Sequence, residues 1–153
     1  RAVRKAHPDA LIVRTTVVYG PDEREMNFLY SLRRNLESGR EFRVARDQYS
    51  TPTYSLDLAN AVLALVDHGA KGVFHVAGPS VISRFEFAQI SAAALKLPAE
   101  FIHGVDTAGL GQMAPRPLQA GLSTDKLRCA LPDFRMRTPV EGIADWIREE
   151  SLR

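Results

Sequence analysis

The sequence contains a single cysteine, Cys129, and therefore cannot form an internal disulfide bond. A lone cysteine is typical of proteins in a reducing compartment, so we expect a cytoplasmic protein. No apolar stretch approaches the ~18 residues that a transmembrane helix requires. The N-terminal segment also lacks the apolar centre of a signal peptide. Neither membrane insertion nor secretion is therefore expected.

The chain also carries little net charge of either sign. The chain has 20 Lys and Arg against 18 Asp and Glu, which gives a net charge of +2. No more than two basic residues are adjacent anywhere in the sequence. Nucleic acids and membrane surfaces attract proteins that concentrate positive charge on one face. Neither is therefore expected as a partner of this chain.

The residues that bind metals or carry out acid–base chemistry are few and scattered. The four histidines are His7, His68, His75 and His103, and they share no spacing that a metal site requires. No second cysteine supports them, and the aspartates of the C-terminal third have no evident partner. We therefore predict neither a metal site nor a catalytic residue in this chain.

The chain has no initiator methionine, and its first residues mix alanine and valine with basic side chains that suit a helix C-terminus. Its 153 residues are enough for one domain with a sizeable core. We expect the C-terminal part of a longer protein. A processed or trimmed start is the alternative.

Two stretches are predicted to be buried strands. Residues 10–19 are almost continuously apolar and rich in β-branched side chains, as in a strand covered on both faces. Residues 72–77 form a second, shorter strand, and residues 41–46 alternate like a strand at a surface. The dipeptide Gly20-Pro21 ends the first of them.

Four amphipathic helices are predicted between and after these strands. The first begins near Phe28 and ends before Gly39. The second covers residues 55–68, with Leu58, Val62, Leu65 and Val66 facing inward. The third begins at a capping box formed by Ser83 and Glu86. The last begins near Thr138 and is expected to turn Val140, Ile143, Ala144 and Ile147 inward.

Alternating strands and helices predict the α/β class. Two fully buried strands are too few for a doubly wound parallel sheet, so we expect an incomplete sheet. In this interpretation residues 1–22 are the last part of a sheet core. Residues 23–153 form mainly a smaller substrate-binding domain, with residues 72–77 returning to the sheet.

Seven segments, in the same order, resemble extended short-chain dehydrogenases, and within them the dTDP-4-dehydrorhamnose reductases. They are residues 14–21 (RTTVVYGP), Asn27-Phe28, Asp47-Gln48 with Pro52-Thr53, 57–61 (DLANA), 74–78 (FHVAG), 83–88 (SRFEFA), and Arg116-Pro117 with Leu122 and Lys126. The resemblance implies a Rossmann-like sheet and a parent enzyme that uses NADPH or NADH. It covers nearly the whole chain.

Two motifs of that family are absent from this sequence. The Gly-rich turn that binds the cofactor phosphates does not occur, because Gly104, Gly109 and Gly111 have the wrong spacing. No tyrosine is followed four residues later by lysine. We therefore expect that this chain alone is inactive and does not bind a nicotinamide cofactor tightly.

The resemblance implies seven substrate-binding positions: Thr16, Val17, Tyr19, Asn27, Gln48, Thr53 and Arg116. Arg116 is expected to grip the diphosphate of a sugar nucleotide bidentately. Other roles stay open, because Tyr19 can be a packing residue, Asn27 can cap the helix that follows, and Gln48 and Thr53 can form turns. Asp57 is interpreted as structural, near the start of its helix.

Two positions depart from the reductases and leave the identity of the sugar open. Val17 stands where the reductases usually carry tryptophan, and Ser50 stands where they usually carry glycine. The parent enzyme is expected to reduce a dTDP-4-keto-6-deoxysugar. The expected partner of this chain is the missing N-terminal half of the Rossmann fold, and the parent enzyme can be a homodimer. The alternatives are a sugar-nucleotide epimerase or dehydratase, and a non-catalytic subunit resembling that of methionine adenosyltransferase.

Overall fold

A computed structural model describes residues 2–152, which form six α-helices and nine short strands. The helices are α1 (Ala2–Ala6), α2 (Phe28–Glu37), α3 (Ser55–Asp67), α4 (Arg84–Leu95), α5 (Asp125–Ala130) and α6 (Pro139–Ser151). The strands are β1 (Leu11–Arg14), β2 (Val18–Tyr19), β3 (Phe42–Ala45), β4 (Tyr49–Ser50), β5 (Thr53–Tyr54), β6 (Gly72–His75), β7 (Ile82–Ser83), β8 (Ile102–Val105) and β9 (Gln119–Ala120).

The strands pair mostly in parallel. Strand β1 pairs with β6, β2 with β5, and β3 with β8, all three pairs being parallel. In a fourth sheet, β4 lies between antiparallel β7 and parallel β9. Residues far apart in the sequence thus meet at neighbouring strand ends, and the predicted α/β class is confirmed.

The strand predicted over residues 10–19 is two strands, because the chain turns sharply at Val17. The φ angle of Val17 is 45°, a value that is rare for a β-branched residue. The break is stabilised from β5, since the Thr53 amide donates to the Val17 carbonyl at 3.1 Å. In this chain β1 pairs with β6 and no residue of β1 is fully buried, so the cover on both faces that is predicted for a strand of a whole sheet stays a prediction.

The predicted helix boundaries and caps are largely confirmed. The side chain of Ser83 accepts from the Glu86 amide, and the Glu86 carboxylate accepts from the Ser83 amide, which completes the capping box of α4. A second capping box begins α6, where Thr138 and Glu141 exchange the same bonds. Gly39 follows α2 with a φ of 63°, as expected for a residue after a helix end.

The inward faces of two helices differ from the predicted ones. On α3, Val66 is 59% exposed, and on α6, Val140 is 58% exposed. The buried face of α6 carries Ile143, as predicted, together with Gly142 and Trp146. Trp146 and Ile143 pack in one cluster with aromatic side chains of α2, α4, β2 and β5. The large indole therefore sets the rotation of α6, and Val140 and Ala144 turn outward.

A close approach of two backbone segments requires glycine at position 78. A β-carbon at Gly78 would overlap the carbonyl oxygen of Pro52. We expect Gly78→Ala to lower the free energy of unfolding by about 2–3 kcal/mol, because the segment that carries Thr53 must shift. Urea denaturation measures the change. Gly109→Ala, at a position without such a neighbour, is the control, and equal effects of the two substitutions would contradict the prediction.

Candidate functional site

An open pocket of about 330 Å³ lies just beyond the carboxyl end of β1. Its lining residues are Thr16, Val17, Gln48, Tyr49, Ser50, Arg84, Arg116, Pro117 and Ala120. Four of the seven predicted substrate-binding residues therefore line one pocket. Open α/β sheets bind their ligands at the carboxyl ends of parallel strands, which is where this pocket lies.

Thr53 lies beneath the pocket and holds the segment that forms its wall. Its side chain is fully buried, and its hydroxyl lies 3.0 Å from the carbonyl oxygens of both Thr16 and Thr51. The Gly78 amide donates to the same hydroxyl at 3.3 Å. Thr53 does not line the pocket in this structure, where its hydroxyl holds Thr16. Its contact with substrate stays a prediction.

Gln48 connects the pocket wall to two neighbouring segments. Its side-chain amide donates to the hydroxyl of Thr107 and to the carbonyl oxygen of Gln112, both at 3.0 Å. Its backbone carbonyl accepts from the Arg84 amide at 3.0 Å. Next to it, Asp47 accepts bonds from the amide and hydroxyl of Thr107, and these bonds lower the pKa of the Asp47 carboxyl. Gln48 is thus buried and held in place before any ligand arrives.

Two guanidinium groups line the pocket without a counter-charge. Within residues 2–152, no carboxylate lies within 4 Å of Arg84 or of Arg116. The pKa of Arg84 is lowered, first because the side chain is largely buried and second because the charge of Arg116 is near. The pocket is therefore electropositive and suited to an anion.

Sequence reasoning missed Arg84 as a site residue, although a signal was present. Arg84 is the first residue of α4, directly after the capping residue Ser83. Acidic residues are favoured in the first turn of a helix, because the helix dipole is positive there. A basic residue at that position breaks a local rule, and such conflicts often mark functional positions.

Besides Thr53, two predicted residues lie outside this pocket. Tyr19 is 1% exposed and packs against Tyr54 and Phe87 in the core. Burial also raises the pKa of its hydroxyl. Asn27 caps α2: its side-chain oxygen accepts from the Leu29 amide at 3.1 Å, and its side-chain nitrogen donates to the Gly20 carbonyl at 2.9 Å. The capping role, one of the two predicted for Asn27, is confirmed.

Asn27 also lines a second pocket, of about 400 Å³, between α2 and β3. Arg84 lines both pockets. Its guanidinium lies 5.1 Å from the centre of the Phe28 ring, which belongs to the second pocket. Arg84 therefore stands at the junction of the two.

Neither Gly104 nor Gly109 occupies the position of a phosphate-binding turn. Gly104 lies within β8 and Gly109 within the short 3-10 turn Thr107–Leu110, so neither joins a strand to an α-helix. Tyr49 lines the first pocket, but no lysine does. The residues described by the structure also contain no cluster of three potential metal ligands and no helix long and apolar enough to cross a membrane.

The comparisons with known proteins point to one family. The model of the RmlD substrate binding domain matches residues 1–150. The spore coat polysaccharide biosynthesis protein SpsK of Bacillus subtilis is 32% identical, over 97% of this chain and 50% of its own length. A dTDP-4-dehydrorhamnose reductase of Mycolicibacterium smegmatis is 35% identical, over 82% of this chain and 38% of its own length.

A solved structure agrees with the fold. The dTDP-4-dehydrorhamnose reductase of Bacillus anthracis, crystallised in complex with NADP, superposes with a TM-score of 0.86 at 29% identity. The match covers 96% of this chain and 51% of the solved chain. The predicted Rossmann-like α/β fold is confirmed, and this chain spans between 38% and 51% of the length of these relatives.

Proposed function

We propose, on the premise that this chain belongs to the family of RmlD substrate binding domains, that it binds the sugar nucleotide of an NAD(P)-dependent reductase. The proposed substrate class is a dTDP-4-keto-6-deoxysugar, in line with the reductases that it resembles. The observation that carries the proposal is the pocket in which Thr16, Val17, Gln48 and Arg116 converge.

Different residues of the pocket contact different parts of such a ligand in this proposal. Arg116 supplies a planar guanidinium that can bind two phosphate oxygens at once, and Pro117 limits the motion of the loop beside it. Thr16 and Val17 form the wall at the end of β1, where the sugar would lie. A ligand fixed at its diphosphate presents its keto group in one orientation. The chain's contribution to catalysis is then positioning.

The nicotinamide cofactor and the proton donor belong, in this proposal, outside these 153 residues. The cofactor supplies the hydride when it is bound, and the Gly-rich turn that binds its phosphates does not occur in this sequence. The partner is therefore a cofactor-binding half of the Rossmann fold. The prediction that the chain alone turns over no sugar nucleotide rests on the same absent turn and on the absence of a tyrosine followed four residues later by lysine. A homodimer stays an option for the whole enzyme.

Replacing Arg116 with alanine is expected to weaken dTDP binding about ten- to a hundredfold while leaving the fold intact. A hydrogen bond to a charged group contributes about 1.5–3 kcal/mol, and each 1.4 kcal/mol corresponds to about tenfold in affinity. Arg116→Lys should recover only part of the affinity, because an ammonium group lacks the two-pronged geometry. Isothermal titration calorimetry with dTDP measures all three proteins.

The control is Arg40→Ala, which removes the same charge from an exposed position that lines neither pocket. Its affinity for dTDP should equal that of the wild type. An Arg116→Ala protein that folds normally and binds dTDP as tightly as the wild type would show that Arg116 faces only water.

A further inference from the structure

The charge of Arg84 has an energetic cost in the absence of a ligand. It stands at the first position of α4, where the helix dipole is positive, and it shares a pocket with Arg116. Burial further disfavours its charged form, which lowers its pKa. The helix dipole, the charge of Arg116 and burial all disfavour a positive charge at this position, and yet the chain carries an arginine there.

No carboxylate of residues 2–152 pairs with Arg84 to offset this cost. The nearest acid on the same helix, Glu86, is engaged in the capping box, where it accepts from the Ser83 amide at 2.7 Å. The Phe28 ring, 5.1 Å from the guanidinium carbon, offers a cation–π contact. That contact is weak for a side chain that keeps some access to water. It also does not explain why a second arginine lines the same pocket.

We infer that Arg84 is a second diphosphate ligand, so that Arg84 and Arg116 together bind the two phosphates of the sugar nucleotide. The inference rests on the proposed function and adds a residue to it. Two guanidinium groups facing one pocket repel each other when it is empty, and two adjacent phosphates relieve that repulsion. A diphosphate offers one phosphate to each arginine and carries more negative charge than a single phosphate. We therefore expect the pair to favour nucleoside diphosphates over monophosphates.

The test uses Arg84→Met, which keeps the apolar stem over Phe28 and removes the charge. Calorimetric titration with dTDP should show an affinity about tenfold or more below that of the wild type. Inorganic pyrophosphate and inorganic phosphate serve as minimal probes. The wild type should prefer pyrophosphate, and either Arg84→Met or Arg116→Met should abolish that preference, because one arginine remains in each variant. Arg40→Met controls for the loss of one positive charge.

Three outcomes distinguish a failure of the proposed function from a failure of the role inferred for Arg84. If the wild type binds neither dTDP nor pyrophosphate, the proposed function of this pocket is overturned together with the inference. If the wild type binds dTDP and Arg84→Met retains both its affinity and the preference for pyrophosphate, only the role of Arg84 is overturned. NADPH also carries a diphosphate and should bind at least tenfold more weakly than dTDP. Equal binding of NADPH would assign the arginine pair to the cofactor and overturn the inference.

Discussion

Replacing Asp57 with alanine is expected to lower the free energy of unfolding by about 3 kcal/mol, because it breaks a largely buried ion pair. The side chain of Asp57 is 5% exposed and pairs with the guanidinium of Arg137. Its second oxygen accepts from the Arg137 backbone amide at 2.6 Å. Alanine would leave both donors without their main partner. The pair also joins α3 to the segment that leads into α6.

Further bonds extend this ion pair and make its loss more costly. Arg137 lies 3.7 Å from the carboxylate of Asp145, which in turn accepts from the Tyr54 hydroxyl at 3.0 Å. Urea denaturation measures the change, with Asp67→Ala, exposed at the end of the same helix, as the control. Asp67→Ala should change stability by no more than about 0.5 kcal/mol. A loss of similar size in both variants would show that the Asp57 pair contributes little.

Truncating Trp146 to alanine should destabilise the protein by about 3–5 kcal/mol, the range found for large aromatic side chains in a core. The indole is completely buried, and its ring lies 5.0 Å from that of Tyr30 in an edge-on arrangement. Its nitrogen donates to the Tyr30 hydroxyl at 3.2 Å. The substitution therefore leaves a cavity between α2 and α6 and removes a buried hydrogen bond.

Val140→Ala is the matched control, since it lies on the same helix but on the exposed side. We expect its stability to change by no more than about 0.5 kcal/mol. The comparison also tests the rotation of α6, because the sequence pattern alone predicted that Val140 faces inward. A large loss from Val140→Ala, with a small one from Trp146→Ala, would mean that the helix is rotated the other way.

The features that the sequence predicts well are those set by local chemistry. The two capping boxes, at Ser83 and Thr138, place the starts of α4 and α6, because each motif satisfies the free amides of its own helix. Gly39 marks the end of α2 for a similarly local reason. The periodicity of apolar residues predicts that the helices and the main strands exist.

The features that the sequence does not predict depend on contacts between distant residues. The break at Val17 is stabilised by Thr53, 36 positions further on by residue number. The rotation of α6 depends on the fit of Trp146 against α2, because two stripes of the same helical spacing are possible, one starting at Pro139 and one at Val140. The buried position of Thr53 has the same origin, because the close approach of Gly78 places it beneath the pocket.

The candidate site was predicted in part, and by resemblance more than by pattern. Thr16, Val17, Gln48 and Arg116 share one pocket, although they come from three separate parts of the chain. In the sequence, Arg84 stands out only as an unfavourable charge at the start of a helix. Its place in the site could not be predicted, because it depends on Arg116 lying nearby in the fold. Substrate contact by any of these residues stays a prediction, as does the division into sheet core and substrate domain.

A pair of calorimetric titrations of the same chain, one with dTDP and one with NADPH, tests the substrate-binding role most directly. We expect saturable binding of dTDP that weakens in Arg116→Ala. We expect no micromolar binding of NADPH, because the Gly-rich turn is absent, and no turnover of dTDP-4-keto sugars in the presence of NADPH. Micromolar NADPH binding without detectable dTDP binding would contradict the claim that this chain is the substrate-binding part of a reductase.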